Sequence, residues 1–297
     1  MRALVRSWPA ATRVAAGGGA RAGTRRARDD AASRADEHYS LLLPSWLNAR
    51  LGVHGRAAVE DIVWAQHCLF AFVRNQDDVF DGRPSSRGLV FLAHEFLAEA
   101  ERAFARHLRE GAFWRFYRAA LTQTARAVLT VDGYQRGAPM AMAPLMTAYA
   151  RQSAIFKVGT AAVCLPCGAR DVFRRCSRFA DHLAIAGQLL DDLEDLRDDL
   201  ADGRLNAAAR FLVPDAGPRM PDIEQRIARA LVLGDRLAAL LRRIRGHVRA
   251  AGTAIAPLAL PQAHAYAEAI RADLARVEAS LNRGRVAAVF GPLLAAH

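Results

Sequence analysis

Gly187-Gln188-Leu189-Leu190-Asp191-Asp192-Leu193-Glu194-Asp195-Leu196-Arg197-Asp198-Asp199 sets six carboxylates within nine residues, directly behind a long apolar run. In a helix, Asp191, Asp195 and Asp199 follow one another at i, i+4 and i+8, so they form one stripe, with Asp192 and Asp198 beside it. Like charges one turn apart repel, and the helix is weakened unless water, bases or a cation neutralise them. A solvated acidic face is the ordinary explanation of such a run. A second cluster, Asp77-Asp78-Val79-Phe80-Asp81, again follows an apolar helical run, Ile62 to Val73, and again has its outer carboxylates at i, i+4. Hard divalent cations take oxygen ligands, and Mg²⁺ is usually held by one or two carboxylates together with water and substrate phosphates. Paired Asp-rich helices facing each other across a helical core therefore point to a Mg²⁺-diphosphate site.

Working outward, every long segment from Tyr39 onward has helical periodicity, and the breaks fall at Gly and Pro. Helices are expected over about 57–80, 87–108, 112–132, 141–165, 171–201, 221–250 and 261–282, with a shorter one near 44–51. No stretch alternates convincingly enough for a strand. The expected fold is all-α: a single bundle of seven or eight long helices spanning 35–297, with no internal repeat. Residues 1–34 are rich in Ala, Arg and Gly, lack sustained periodicity and are expected to be a disordered arm. An organellar targeting peptide and a merely Arg-biased composition would both produce that look.

The chain has 297 residues, 52% hydrophobic and 24% charged, enough for a substantial core. No run of eighteen uncharged apolar residues occurs, so no transmembrane span is expected. Cys68, Cys164, Cys167 and Cys176 fall in expected helices, which suits reduced thiols and a cytoplasmic location. The Cys164–Cys167 pair lacks both a βαβ context and a second pair, so neither redox nor zinc chemistry is expected of it. Of the formal net charge of +11, seven arginines within residues 1–28 supply +7. The remaining excess is scattered among interleaved acids with no aromatic-basic motif, which argues against nucleic-acid binding.

The residues Phe70-Ala71-Phe72-Val73-Arg74-Asn75-Gln76-Asp77-Asp78-Val79-Phe80-Asp81-Gly82 resemble the first aspartate motif of squalene and phytoene synthases, including an Arg three positions before the first Asp. Asp81 followed by Ser86-Arg87-Gly88 is similar instead to the DDxxDxxxxRRG pattern of prenyl diphosphate synthases, with Ser86 in place of the first Arg. Gln188, Asp191, Asp192 and Asp195 resemble the QxxDDxxD of prenyl synthases. Measured from Gln188 to Gly203-Arg204, the spacing is similar to the phytoene synthase pattern, with Asp195 and Asp199 as its pair. Over roughly residues 39–213 the chain thus resembles the class I isoprenoid synthase superfamily.

That resemblance implies a metal set of Asp77, Asp78, Asp81, Asp191, Asp192, Asp195 and Asp199, with three Mg²⁺ ions per diphosphate. Lys157 is the only lysine beside 40 arginines. It lies in Phe156-Lys157-Val158-Gly159-Thr160, where prenyl synthases are similar in placing a Lys-Thr pair on diphosphate, although here two residues intervene. Arg74, Arg87, Lys157 and Arg204 are the implied diphosphate contacts, and Gln188 would orient a carboxylate or water. Asp81, Asp195 and Lys157 are the candidates for catalysis. Phe70, Phe72, Tyr149 and Phe156 are candidates for an apolar wall around a carbocation. Glu194 and Asp198 are expected to be solvated or to pair with Arg197 and Arg204.

The family's Gly-Lys-Arg element for a second diphosphate has no match upstream, since Gly55-Arg56 is too close to Asp77. The expected activity is Mg²⁺-dependent transfer of a prenyl group from an allylic prenyl diphosphate, by elongation or by squalene/phytoene synthase-like condensation. Cyclisation of one prenyl diphosphate by a class I terpene cyclase is the alternative, and a non-catalytic scaffold descended from the superfamily is a rival of another class. Peripheral membrane contact, aided by the basic arm, and a homodimer are further expectations.

Overall fold

The computed structural model describes residues 38–80, 88–109, 111–217 and 220–294. The expected N-terminal arm, and with it Asp81 and Arg87, lies outside them. All regular structure among the described residues is helical. They fall into two compact units divided between residues 109 and 110, and each is described by itself.

The first unit contains α1 (Tyr39–Leu51), α2 (Arg56–Phe80) and α3 (Leu89–Ala105). Helix α1 ends because Gly52 adopts φ 64°, a left-handed conformation that is cheap only for a residue without Cβ, and its N–H returns to the Asn48 carbonyl at 2.8 Å. Ile62, Ala65 and Leu69 recur at three- and four-residue spacing on α2, as do Phe96, Ala100 and Ala103 on α3, and all are buried. Helices α2 and α3 pack antiparallel: Trp64 donates its indole N–H to Glu99 at 3.1 Å, and Asp61 accepts from Arg106 at 3.2 Å and contacts His107 at 2.8 Å.

The second unit is built around α7 (Arg170–Glu194). Its buried face, Cys176, Phe179, Ala180, Leu183, Ala186 and Leu189, follows the helical period. Against it lie α5 (Met142–Gln152), a 3₁₀ turn (Ser153–Lys157) and α6 (Val158–Cys164), and α4 (Gly111–Gln135) packs on those three. Then come α8 (Leu196–Ala201), α9 (Ala207–Leu212), α10 (Ile223–Leu233), α11 (Arg236–Ile255), a 3₁₀ turn (Ala256–Leu258) and α12 (Pro261–Leu294). Helix α11 packs closely along α7, its Leu237, Leu240, Leu241 and Ile244 entering the same core.

Three expected helices are broken, each for a local reason. The helix expected over 141–165 is interrupted by the 3₁₀ turn, where Thr124 of α4 accepts from the Ile155 N–H and donates to the Gln152 carbonyl, both at 3.2 Å. The Ser153 hydroxyl also takes the Ala150 carbonyl, at 2.7 Å, so side chains replace part of the α-helical ladder. The helix expected over 171–201 bends at Asp195, and that expected over 221–250 divides at Gly234, whose backbone is extended. The last helix runs past its expected end to Leu294, and the one expected near 44–51 begins already at Tyr39.

All four cysteines are free thiols, with Cys68, Cys164 and Cys176 buried. Burial pushes the Cys68 and Cys164 thiols up to about 12, which makes them inert. Cys167 departs from expectation. It is exposed in the turn after α6, with its Sγ 3.3 Å from the Cys164 carbonyl. Among the described residues no helix is long and apolar enough to cross a membrane.

Thr124→Val leaves the buried Ile155 N–H without its acceptor. It is expected to lower unfolding free energy by about 1–3 kcal/mol in urea titration, whereas Thr130→Val, on the exposed side of α4, is expected to change it by no more than about 0.5 kcal/mol.

Candidate functional site

The acidic stretch closes α7, turns at Asp195 and continues through α8. Because Asp195 leaves helical geometry at φ −88° and ψ 3°, the stripe expected from one continuous helix is split in two. Asp191 and Asp195 are exposed, as are Glu194 and Asp198, while Asp192 and Asp199 turn inward and are only 3% and 8% exposed.

Helix α8 ends in a tight reversal. Gly203, at φ 72°, allows its N–H to reach the Leu200 carbonyl at 3.0 Å and the Arg204 N–H to reach the Asp199 carbonyl at 2.8 Å, the paired bonds of a Schellman turn. Leu205 N–H then bonds the Gln135 carbonyl at the end of α4, at 2.9 Å, which tethers the returning chain. Asn206 caps α9, its Oδ1 accepting from the Ala209 N–H at 2.9 Å.

That reversal carries donors back to the inward carboxylates. The Asp192 Oδ2 accepts from the Tyr149 hydroxyl at 2.6 Å and from the Ala207 N–H at 3.1 Å, and its Oδ1 accepts from the Gln188 amide at 3.3 Å. The Asn206 amide N–H₂ bridges the Asp192 carbonyl at 2.6 Å and Asp199 Oδ2 at 2.7 Å. Arg204 pairs with Asp199 at 3.1 Å and Asp202 at 3.2 Å. Arg210 donates to the Tyr134 carbonyl at 2.9 Å, with its guanidinium 4.3 Å from the centre of the Tyr134 ring.

Burial pushes the Asp192 carboxyl up to about 6, against the pull of its hydrogen-bond donors. Burial also raises Tyr149, and the Asp192 charge beside it raises it further, so the phenol stays a donor. Asp195 is raised by partial burial and then by Asp199, Glu194 and Asp198, with Arg204 opposing. Asp195 therefore sits among like charges that Arg204 offsets only in part, a repulsion a cation would relieve.

The other candidate residues occupy varied settings. Gln188 is half-buried and its amide donates to Asp192. Lys157 ends the 3₁₀ turn with an 11% exposed side chain, and its ammonium forms an ion pair with Asp181 of α7. Tyr149, a candidate for an apolar wall, is fully buried and spends its hydroxyl on the acidic motif. In the first unit, exposed Arg74 pairs with exposed Asp77 at 3.6 Å near the end of α2, with Asp78 half-buried beside them. Phe70 packs its ring 5.3 Å from the His38 ring, and Phe72 and Phe156 are half-buried.

Sequence reasoning missed Asn206, although an Asn directly before the run Ala207-Ala208-Ala209 is a helix-cap signal. It also missed Tyr149 as a partner of Asp192, a contact across 43 residues that no local pattern announces. Among the described residues no three His, Cys, Asp or Glu side chains come together in a form that holds a metal ion. The donor chemistry of Asp191 and Asp195 nevertheless fits Mg²⁺, which needs only one or two protein carboxylates when phosphate and water complete its shell.

Asp192→Ala strands the Tyr149 hydroxyl and the Ala207 N–H and is expected to cost about 2–5 kcal/mol in chemical denaturation. Asp192→Asn keeps one acceptor and is expected to cost less. Because the native carboxyl holds its proton more tightly than the unfolded one, wild type is expected to gain stability relative to Asp192→Asn as pH falls through about 6 toward the usual Asp value.

No family model matches the chain, and no curated protein matches it in sequence.

Proposed function

We propose that this chain is a Mg²⁺-dependent isoprenoid synthase that ionises an allylic prenyl diphosphate and transfers the prenyl group. The observation that carries the reading is the exposed Asp191 and Asp195 pair, one helical turn apart, with Asp195 raised by partial burial and then by the carboxylates around it. The likeness of both aspartate motifs to the class I isoprenoid synthases supplies the substrate class, and the all-helical architecture agrees with it. A bundle of the isoprenoid synthase type is part of the same proposal.

On this reading Asp191 and Asp195 hold Mg²⁺, and the first motif, Asp77, Asp78 and Asp81, takes the metal-binding role that its own resemblance implies. Bound there, Mg²⁺ would neutralise diphosphate oxygens and act as a Lewis acid toward the leaving group. Asp192 and Asp199 take a different part: they anchor α9 and Gly203–Asn206 against the end of α7, and so fix where the exposed pair points. Gln188 holds Asp192 from one turn away. Arg74, whose exposed pair with Asp77 is loose, is able to swing to a phosphate at little cost. Lys157 and Arg204 contact diphosphate only by giving up or sharing Asp181, Asp199 and Asp202.

The scaffold reading draws on that engagement of Lys157, Arg204, Asp192 and Asp199 within the protein itself. Incubation with Mg²⁺ and geranyl, farnesyl or geranylgeranyl diphosphate, each with and without isopentenyl diphosphate, separates the readings by mass analysis of products. A longer diphosphate formed only with isopentenyl diphosphate means elongation. A hydrocarbon or alcohol from one allylic substrate means cyclisation or head-to-head coupling, distinguished by carbon count. Asp195→Ala is expected to lower kcat/KM on the order of 100-fold, while Glu194→Ala is expected to leave it nearly unchanged. Absence of turnover with every substrate would favour the scaffold.

A further inference from the structure

Within the second unit, the packing of α11 on α7 brings together two histidines 65 residues apart in the chain. The Nδ1 atoms of His182 and His247 are 3.1 Å apart, with ring centres at 5.3 Å and ring planes inclined by 47°. We propose that His182 and His247 form a two-histidine site for a borderline transition-metal cation, Cu²⁺ above all, independent of the acidic motif.

The geometry carries this. Metal–imidazole bonds of about 2.0–2.1 Å to two nitrogens 3.1 Å apart subtend about 98° at the metal. That angle lies between the right angle of tetragonal Cu²⁺ or Ni²⁺ and the wider angle of tetrahedral Zn²⁺, and Cu²⁺ heads the affinity order for nitrogen donors. Both rings are only half-buried, so water is able to fill the remaining positions.

The charge state also suits ligation. Partial burial lowers both rings, His247 to about 4, so both are neutral imidazoles at pH 7, the form that binds a metal. In the metal-free protein one Nδ1–H donates to the other Nδ1. Ligation moves that proton to Nε2 of the same ring, with no net loss of a proton. Asp181, itself held by Lys157, and Arg178 act on His182 in opposite directions, and Arg243 acts on His247. Those guanidinium groups keep the site weaker than one with a third protein ligand.

The test is titration of the full-length protein with Cu²⁺ in the presence of glycine, which strips isolated surface histidines, followed by electron paramagnetic resonance. Wild type is expected to hold one Cu²⁺ whose spectrum shows two coupled imidazole nitrogens. His182→Gln and His247→Gln are each expected to lose that species, whereas His94→Gln, an exposed histidine of the first unit, is expected to retain it. A wild-type spectrum with one imidazole nitrogen, no Cu²⁺ retained against glycine, or a two-nitrogen species that survives both substitutions would overturn the proposal. The nitrogen count is read on wild type, so the test stands even where a variant fails to fold.

Discussion

The Asp192 carboxylate is the group on which the local structure of the acidic motif depends. A lone carboxylate in that position would be excluded by its desolvation cost. It is tolerated because Tyr149, Gln188 and the Ala207 N–H converge on it, and because Asn206 ties its own carbonyl to Asp199. Each donor comes from a different piece of the second unit: α5, α7 itself and the start of α9. The carboxylate therefore does for three segments what apolar packing alone would do without direction.

A division of labour follows within one run of acids. Asp192 and Asp199 face inward and hold the chain together, which leaves Asp191 and Asp195 exposed on a rigid base. The bend at Asp195 separates the two sets, and the left-handed turn at Gly203 sends Arg204 and Asn206 back to the inward set. For the proposed Mg²⁺ role, this would give Asp191 and Asp195 a backbone braced by hydrogen bonds in the layer beneath.

Much of the fold was legible in advance. The apolar period located α2, α3 and α4, and the start of α7, to within a few residues, because burial of one face is a property of a single segment. The breaks were harder. A helix ends where a side chain or a returning loop outbids the next backbone hydrogen bond, and at Ser153–Lys157 the competitor is Thr124, some thirty residues away. The pairing of Lys157 with Asp181 was hidden for the same reason: the scarcity of lysine marked the residue, but its partner lies 24 positions downstream on another helix.

By itself the sequence determined the helical class and the two aspartate clusters, and it raised the expectation of a hard cation, because these depend on residue types and on spacing within one helix. Only the tertiary structure decided which acids of the second cluster are buried and which are exposed, which donors satisfy the buried ones, and that His182 meets His247. Those outcomes depend on contacts between distant segments, where the energy of a charge or an imidazole is set by what the fold packs beside it.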